Sequence, residues 1–252
     1  MSKDAILTAI RRGLRRGPLP ADQAAMLRGR LERHPRQLIP ARSRLPHPAQ
    51  VDLFVANVEK EFGSVTRVPD LDAVPGAVAD YLAAQNLPGS FVMAPHPELR
   101  EVPWSARPLL TVREGRAQAT DAVSVQHAFA AIAETGTLML PSAPERPTTL
   151  NLLPDTEIVV LRASRLVGAY EEAWDMLRAE RGAQRDAMPR NVMLVTGPSR
   201  SADIEQTLEL GAHGPRRLHI VLIEDHAASD APAEADTTSS SAAASEHPAR
   251  KS

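Results

Sequence analysis

Three runs in the second half of the chain, IVVL at residues 158–161, VMLV at 192–195 and LHIVLI at 218–223, are built almost wholly from Val, Ile, Leu and Met. Continuous apolar runs of this length describe strands covered on both faces. Between the first two lies a helical stripe of Tyr170, Ala173, Trp174 and Leu177, and between the last two a shorter one with Ile204 and Leu208. Strand alternating with helix predicts a mostly parallel sheet flanked by helices, an α/β fold. In such sheets ligands sit at the carboxyl ends of strands, where TGPSRS is expected to begin.

The first half carries more local signals. Ile6, Ile10 and Leu14 recur at helical spacing, Ala25, Met26 and Leu31 suggest a second helix, and a Pro-rich linker or extended arm covers 35–48. A helix over 51–62 presents Leu53, Phe54, Val58 and Phe62 on one face, Val78, Tyr81 and Leu82 mark another, and 90–94 reads as a strand. From 109 to 140 the chain reads as strands around an irregular piece. After Glu224 the residues are Ala, Ser, Thr, Pro and Asp with almost nothing large to bury, so 226–252 is expected to be a disordered tail. The organisation is thus a basic helical arm and linker over 1–50, an α/β domain over 51–225, and the tail.

Composition excludes several kinds of chemistry. These 252 residues hold no cysteine, so they provide no disulfide, no thiolate nucleophile and no Cys-bound zinc or iron–sulfur cluster. Eight histidines show neither HxH nor HExxH spacing, and no metal site is expected. GxGxxG, GxxxxGK[ST] and GxSxG are missing. No apolar run approaches 18 residues and no hydrophobic signal core follows the start, so a soluble cytoplasmic protein without a membrane span is expected. Residues 1–44 carry eleven Lys and Arg against three Asp and Glu, a net +8 that leaves −10 for the rest. That arm is either a solvated amphipathic element or a docking element for an acidic protein, with nucleic acid the weakest reading.

Two segments concentrate the candidate site residues, AIAETGTLML at 131–140 and VTGPSRSADIE at 195–205. In the first, Glu134 is followed by Thr135, Gly136 and Thr137; its carboxylate is a ligand contact, a nucleophile, or a holder of its own loop. In the second, Thr196, Gly197, Pro198, Ser199 and Arg200 are expected to hold a carboxylate or phosphate where a helix opens, with Ser201 capping it and Asp203 and Glu205 in its first turn. His213, in GAHGPRR, is a candidate acid or base or a turn-orienting group. His127 and His219 read as core or edge histidines.

Both segments, with LLPD, ADIE and HGPR in the same order, resemble the lactate-utilization protein C family, whose domain is called LUD, over about 51–223. The resemblance implies a fold of the NagB/RpiA/CoA transferase-like superfamily. It also implies a component of a multi-protein system that oxidises L-lactate to pyruvate, binding a small carboxylate or anion while partner proteins hold the iron–sulfur clusters. On that reading the chain is a non-redox subunit with no cofactor of its own and has scope for self-association. The alternatives are a stand-alone acyl or CoA transferase using Glu134, and a metabolite-responsive interaction protein. The chain departs from the family at Glu157, where histidine is expected, and after Arg146, where a second basic residue often follows.

Overall fold

The computed structural model describes residues 2–15, 17–36, 38–182, 188–202 and 208–225. The expected tail, together with Asp203, Ile204 and Glu205, lies outside the described residues. Helices α1 (Lys3–Gly13) and α2 (Ala21–Arg33) form at the predicted stripes, α1 capped by Ser2, whose side chain accepts the Ala5 N–H. Neither helix has a buried residue. The Pro-rich stretch contains a 3₁₀ turn, Ala41–Arg44, with Ser43 buried, and then runs into α3 (His47–Lys60).

The remaining elements follow in order: β1 (Ser64–Val68), α4 (Val74–Ala84), β2 (Ser90–Met93), α5 (Pro97–Glu101), β3 (Thr111–Glu114), β4 (Val123–His127), β5 (Ala130–Ile132) and β6 (Thr137–Pro141). After them come β7 (Thr156–Arg162), β8 (Leu166–Val167), α6 (Tyr170–Arg181), β9 (Val192–Thr196), β10 (Arg200–Ala202), β11 (Leu208–Leu210) and β12 (Arg217–Ile223). Six strands form one fully parallel sheet in the order β1-β12-β7-β4-β2-β3. The two longest apolar runs, β7 and β12, pair at its centre, as their two-sided burial requires.

A second sheet, β8-β5-β6-β9, lies over one face of the first. One core joins α4 to the main sheet through Val78, Leu82, Val92, Val125 and Val160. Another joins the opposite face to α3 and the second sheet through Phe54, Val58, Leu138, Val159 and Ile220. The third packs Ile132 and Met139 against Ala173 and Leu177 of α6. The helix α6 begins where Glu172 folds back to accept the N–H groups of Gly168 and Ala169, at 2.9 and 3.0 Å.

Two sequence expectations are corrected. The run at 192–195 is not in the parallel sheet: β9 pairs antiparallel with β6 at the edge of the second sheet, and Leu194 is 43% exposed. A short apolar run fits an edge strand beside a buried neighbour as well as a central strand. TGPSRS, in turn, opens a strand and not a helix, with β10 pairing antiparallel to β11 and Ser201 opposite Glu209. The cause is local. Gly197 turns the chain at φ +70°, after which the Ser199 N–H donates to Pro215 O (2.8 Å) and the Ser199 carbonyl accepts the Gly211 N–H (3.0 Å), so the next residues continue an extended ladder. Ser201 is therefore not a helix cap, and Leu208 belongs to β11.

Candidate functional site

The order of the parallel sheet reverses between β2 and β4, because the chain passes from β2 outward to β3 but from β4 the other way, to β7 and β12. Ligands bind outside the carboxyl ends of strands at such a reversal. Two histidines stand there: His96 follows β2 and His127 ends β4. Their rings stack with centroids 4.0 Å apart and planes within 6°. Glu98, on α5, reaches both His127 Nε2 (2.9 Å) and Arg162 at the end of β7, whose Nε donates at 2.6 Å. Arg162 also contacts Asp225, which accepts from Ser164 at the end of β7.

Burial and charge set the protonation of this cluster. Desolvation, with the charges of His127 and Arg146, lowers His96 to about 3. Desolvation likewise lowers His127 against the pull of Glu98, while contacts with His127 and Arg162 outweigh burial and bring Glu98 down to about 2. At neutral pH the site thus holds two neutral imidazoles beside a carboxylate. The Arg146 Nη2–H donates to His96 Nε2 at 3.1 Å, which places the His96 proton on Nδ1. Glu98 Oε2 lies 2.9 Å from His127 Nε2, yet neither ring nitrogen of His127, both buried, has a hydrogen-bond partner among the described residues.

His96, Glu98 and His127 bring one donor atom each within 4.8 Å of one another. They fit an anion better than a cation. Imidazole lone pairs lie in the ring plane, so two rings stacked in parallel do not aim at a common ion, and Arg146 and Arg162 place two positive charges against the cluster. Arg146 is the link to open space. Its side chain is 11% exposed, its Nε has no hydrogen-bond partner among the described residues, and it lies over the Phe129 ring at 5.8 Å. Its guanidinium also lines a cavity of about 480 Å³ with Arg116, Arg190, Ser142, Thr148 and Thr149. Glu145 lies 3.5 Å from the Arg146 guanidinium.

The residues singled out in the sequence fall in three places. Glu134 is 8% exposed in its side chain, accepts from Ser43 Oγ at 2.8 Å and lies 3.9 Å from Arg42. An acyl group on its carboxylate therefore requires the 41–44 turn to move away. Thr135, Thr137 and Thr196 share a hydroxyl network with Tyr170, at 2.7 to 3.0 Å, that ties the two sheet segments together. Gly136, at φ +67°, lets that turn pass the α3 backbone, where a Cβ would lie 2.7 Å from Val58 N.

Thr196, Gly197, Pro198, Ser199, Arg200 and His213 line a separate cavity of about 260 Å³ at the amino ends of β7 and β12. Arg200 is already engaged there, donating to Glu61 Oε2 at 3.0 Å and stacking on Phe62 at 4.1 Å. The His213 N–H donates to Ser199 Oγ at 3.2 Å. His219 is a core histidine, stacked on Tyr81 at 3.9 Å and bonded to Ser64 at 2.8 Å. His127 is buried at 4% exposure, as a core histidine should be, but its grouping with His96, Glu98 and Arg146 was not expected from the sequence. The local signal was the run of polar residues following the ends of apolar strands, His96 after FVMA and His127 after VSV.

Residues 51–223 match the LUD domain model, and the chain belongs to that family. It is 45% identical over 96 residues to protein NMB1437 of Neisseria meningitidis serogroup B, an alignment that covers 38% of this chain and 40% of that protein. It is 36% identical over 94 residues to lactate utilization protein C of Bacillus subtilis (strain 168), covering 37% of this chain and 39% of that protein. The matches span about two fifths of the length of these curated relatives. A crystal structure of a DUF162 family protein from Deinococcus radiodurans shares the fold, with a TM-score of 0.50 at 23% identity over 71% of this chain and 99% of that one.

Proposed function

We propose that this chain acts in L-lactate utilization as the carboxylate-binding component of a multi-protein system that yields pyruvate. The observation that carries the site is Arg146, a buried guanidinium with a free Nε that spans the neutral His96 and the arginine-lined cavity. A guanidinium held in this way offers a forked contact to a carboxylate. Similarity to lactate utilization protein C supports lactate as the substrate class. His127, a neutral imidazole with the Glu98 carboxylate 2.9 Å from its Nε2, is suited to receive the hydroxyl proton of a 2-hydroxy acid. Oxidation to pyruvate releases two electrons as well as two protons. The electrons pass to an acceptor on a partner, for which an iron–sulfur protein is the fitting class because this sequence has no cysteine to hold a cluster.

Growth tests the reading. A strain lacking the chain should fail on L-lactate as sole carbon source and recover with the wild-type sequence. Arg146→Gln should not restore it, since losing a charge-assisted contact costs about 1.5 to 3 kcal/mol of binding, roughly 10- to 150-fold. Normal growth without the chain contradicts the pathway, and full rescue by Arg146→Gln contradicts the site.

A further inference from the structure

The cavity beneath the TGPS turn lies at the opposite edge of the main sheet from the histidine pair, and it contains a carboxyl group that the proposed chemistry does not use. Its wall brings Asn151, Glu157, Ser199 and His213 together with Val195 and Leu218. Glu157 is 1% and Asn151 4% exposed. Gln126 Nε2–H donates to Glu157 Oε1, which leaves Oε2 to carry the acid proton. Asn151 Nδ2 is buried and has no hydrogen-bond partner among the described residues. On this wall the Asn151 N–H therefore lacks an acceptor among the described residues.

No cation compensates the acid, because the guanidinium on this wall, Arg200, is held by Glu61. Burial accordingly pushes Glu157 up to about 8, and the group is neutral at pH 7. Surroundings that refuse a charge on their own carboxyl group penalise a charge on a ligand for the same reason. The occupant that fits is neutral and presents a carbonyl oxygen.

We propose that this cavity is a second ligand site, taking a small neutral molecule through a carboxamide or carbonyl oxygen that accepts from the Glu157 O–H and the Asn151 N–H. It is independent of the carboxylate site at Arg146. An acid at 157 supplies a donor only while it stays protonated.

Acetamide and acetate serve as probes on the full chain, followed through the Asn151 side-chain amide signals in ¹⁵N–¹H spectra at neutral pH. Acetamide should shift these signals saturably, and acetate at the same concentration should not. Glu157→Leu should lose the response, whereas Glu157→Gln, read on the same signals, should keep it because an amide N–H replaces the acid O–H. Raising the pH to about 9.5 should weaken acetamide binding several-fold in the wild type and leave Glu157→Gln unchanged, since ionisation removes the wild-type donor. The pH arm is repeated with His213→Gln, which removes the other titrating group on the wall besides the Arg200 and Glu61 pair. Should a leucine variant fail to fold, the Glu157→Gln comparison still decides. Acetate binding as tightly as acetamide, no saturable shift up to about 100 mM, or wild-type binding that ignores pH would each overturn the proposal.

Discussion

Glu157 and the His96–His127 pair show burial acting with opposite sign on acids and bases. The Glu157 carboxyl is raised from 4.5 to about 8, so the folded chain keeps a proton that the unfolded chain releases as pH climbs above 4.5. Stability from this group is therefore lost progressively between about pH 4.5 and 8, at no more than about 1.4 kcal/mol per pH unit. Glu157→Gln removes the dependence, so urea unfolding should find it more stable than wild type by about 1 to 4 kcal/mol at pH 8, with the two nearly equal near pH 4.5. A variant less stable at pH 8 would show that the acid proton bridges a contact the amide does not replace. His219 has the reverse sign. Desolvation lowers it to about 4, so the unfolded chain takes up its proton first as pH falls below 6.5, and the stability of the core is lost from there toward pH 4. Measured as the difference from His219→Gln, so that the opposite trend of Glu157 cancels, unfolding free energy should decline steadily over that interval, whereas a flat difference would mean His219 is solvated.

At the scale of elements, β7 and β12 were readable because each carries a continuous apolar run, 158–161 and 220–223, that outweighs the polar Glu157 and His219 beside it. The helices α3, α4 and α6 were readable from their apolar stripes, except that Phe62, expected on the α3 face, lies beyond the helix end at φ +67° and is 71% exposed. The strand at 200–202 was not, since Ser-Arg-Ser after a Gly-Pro turn carries the chemistry of a helix start; the partners that decide its conformation, Pro215 and Gly211, lie more than ten residues away. The grouping of His96 with His127 was hidden for a related reason, as it arises from β2 and β4 becoming neighbours across a sheet. Gly197 tests the turn directly. At φ +70°, a Cβ there would lie 2.3 Å from Glu61 O, so Gly197→Ala should cost about 1 to 3 kcal/mol and lower the melting temperature by several degrees. Gly17→Ala meets nothing within 4 Å and should leave the melting temperature within a degree or two. Equal behaviour of the two variants would contradict the turn geometry.

For the whole molecule, the division of charge follows the division of burial. The basic arm includes α1 and α2, which bury no residue, and Leu31 is 74% exposed. Leu27, Arg30 and Leu31 of α2 border an open cavity with Trp174 and Arg178 of α6, and polar contacts to the domain follow after α2, where Arg36 pairs with Asp175 at 2.5 Å and Ser43 bonds to Glu134. Removing residues 1–33 should therefore change unfolding free energy by less than about 1 kcal/mol, whereas a large loss would show that the arm packs on the core.

The central claim is that a small carboxylate binds at the carboxyl edge of the parallel sheet, through Arg146 and beside two neutral histidines. Titrating L-lactate into the chain while following the imidazole signals of assigned histidines tests it most directly. The account predicts saturable shifts of His96 and His127, lost in Arg146→Gln, with His213 and His219 unmoved. Shifts confined to His213, or no saturable shift of His96 and His127, would contradict it.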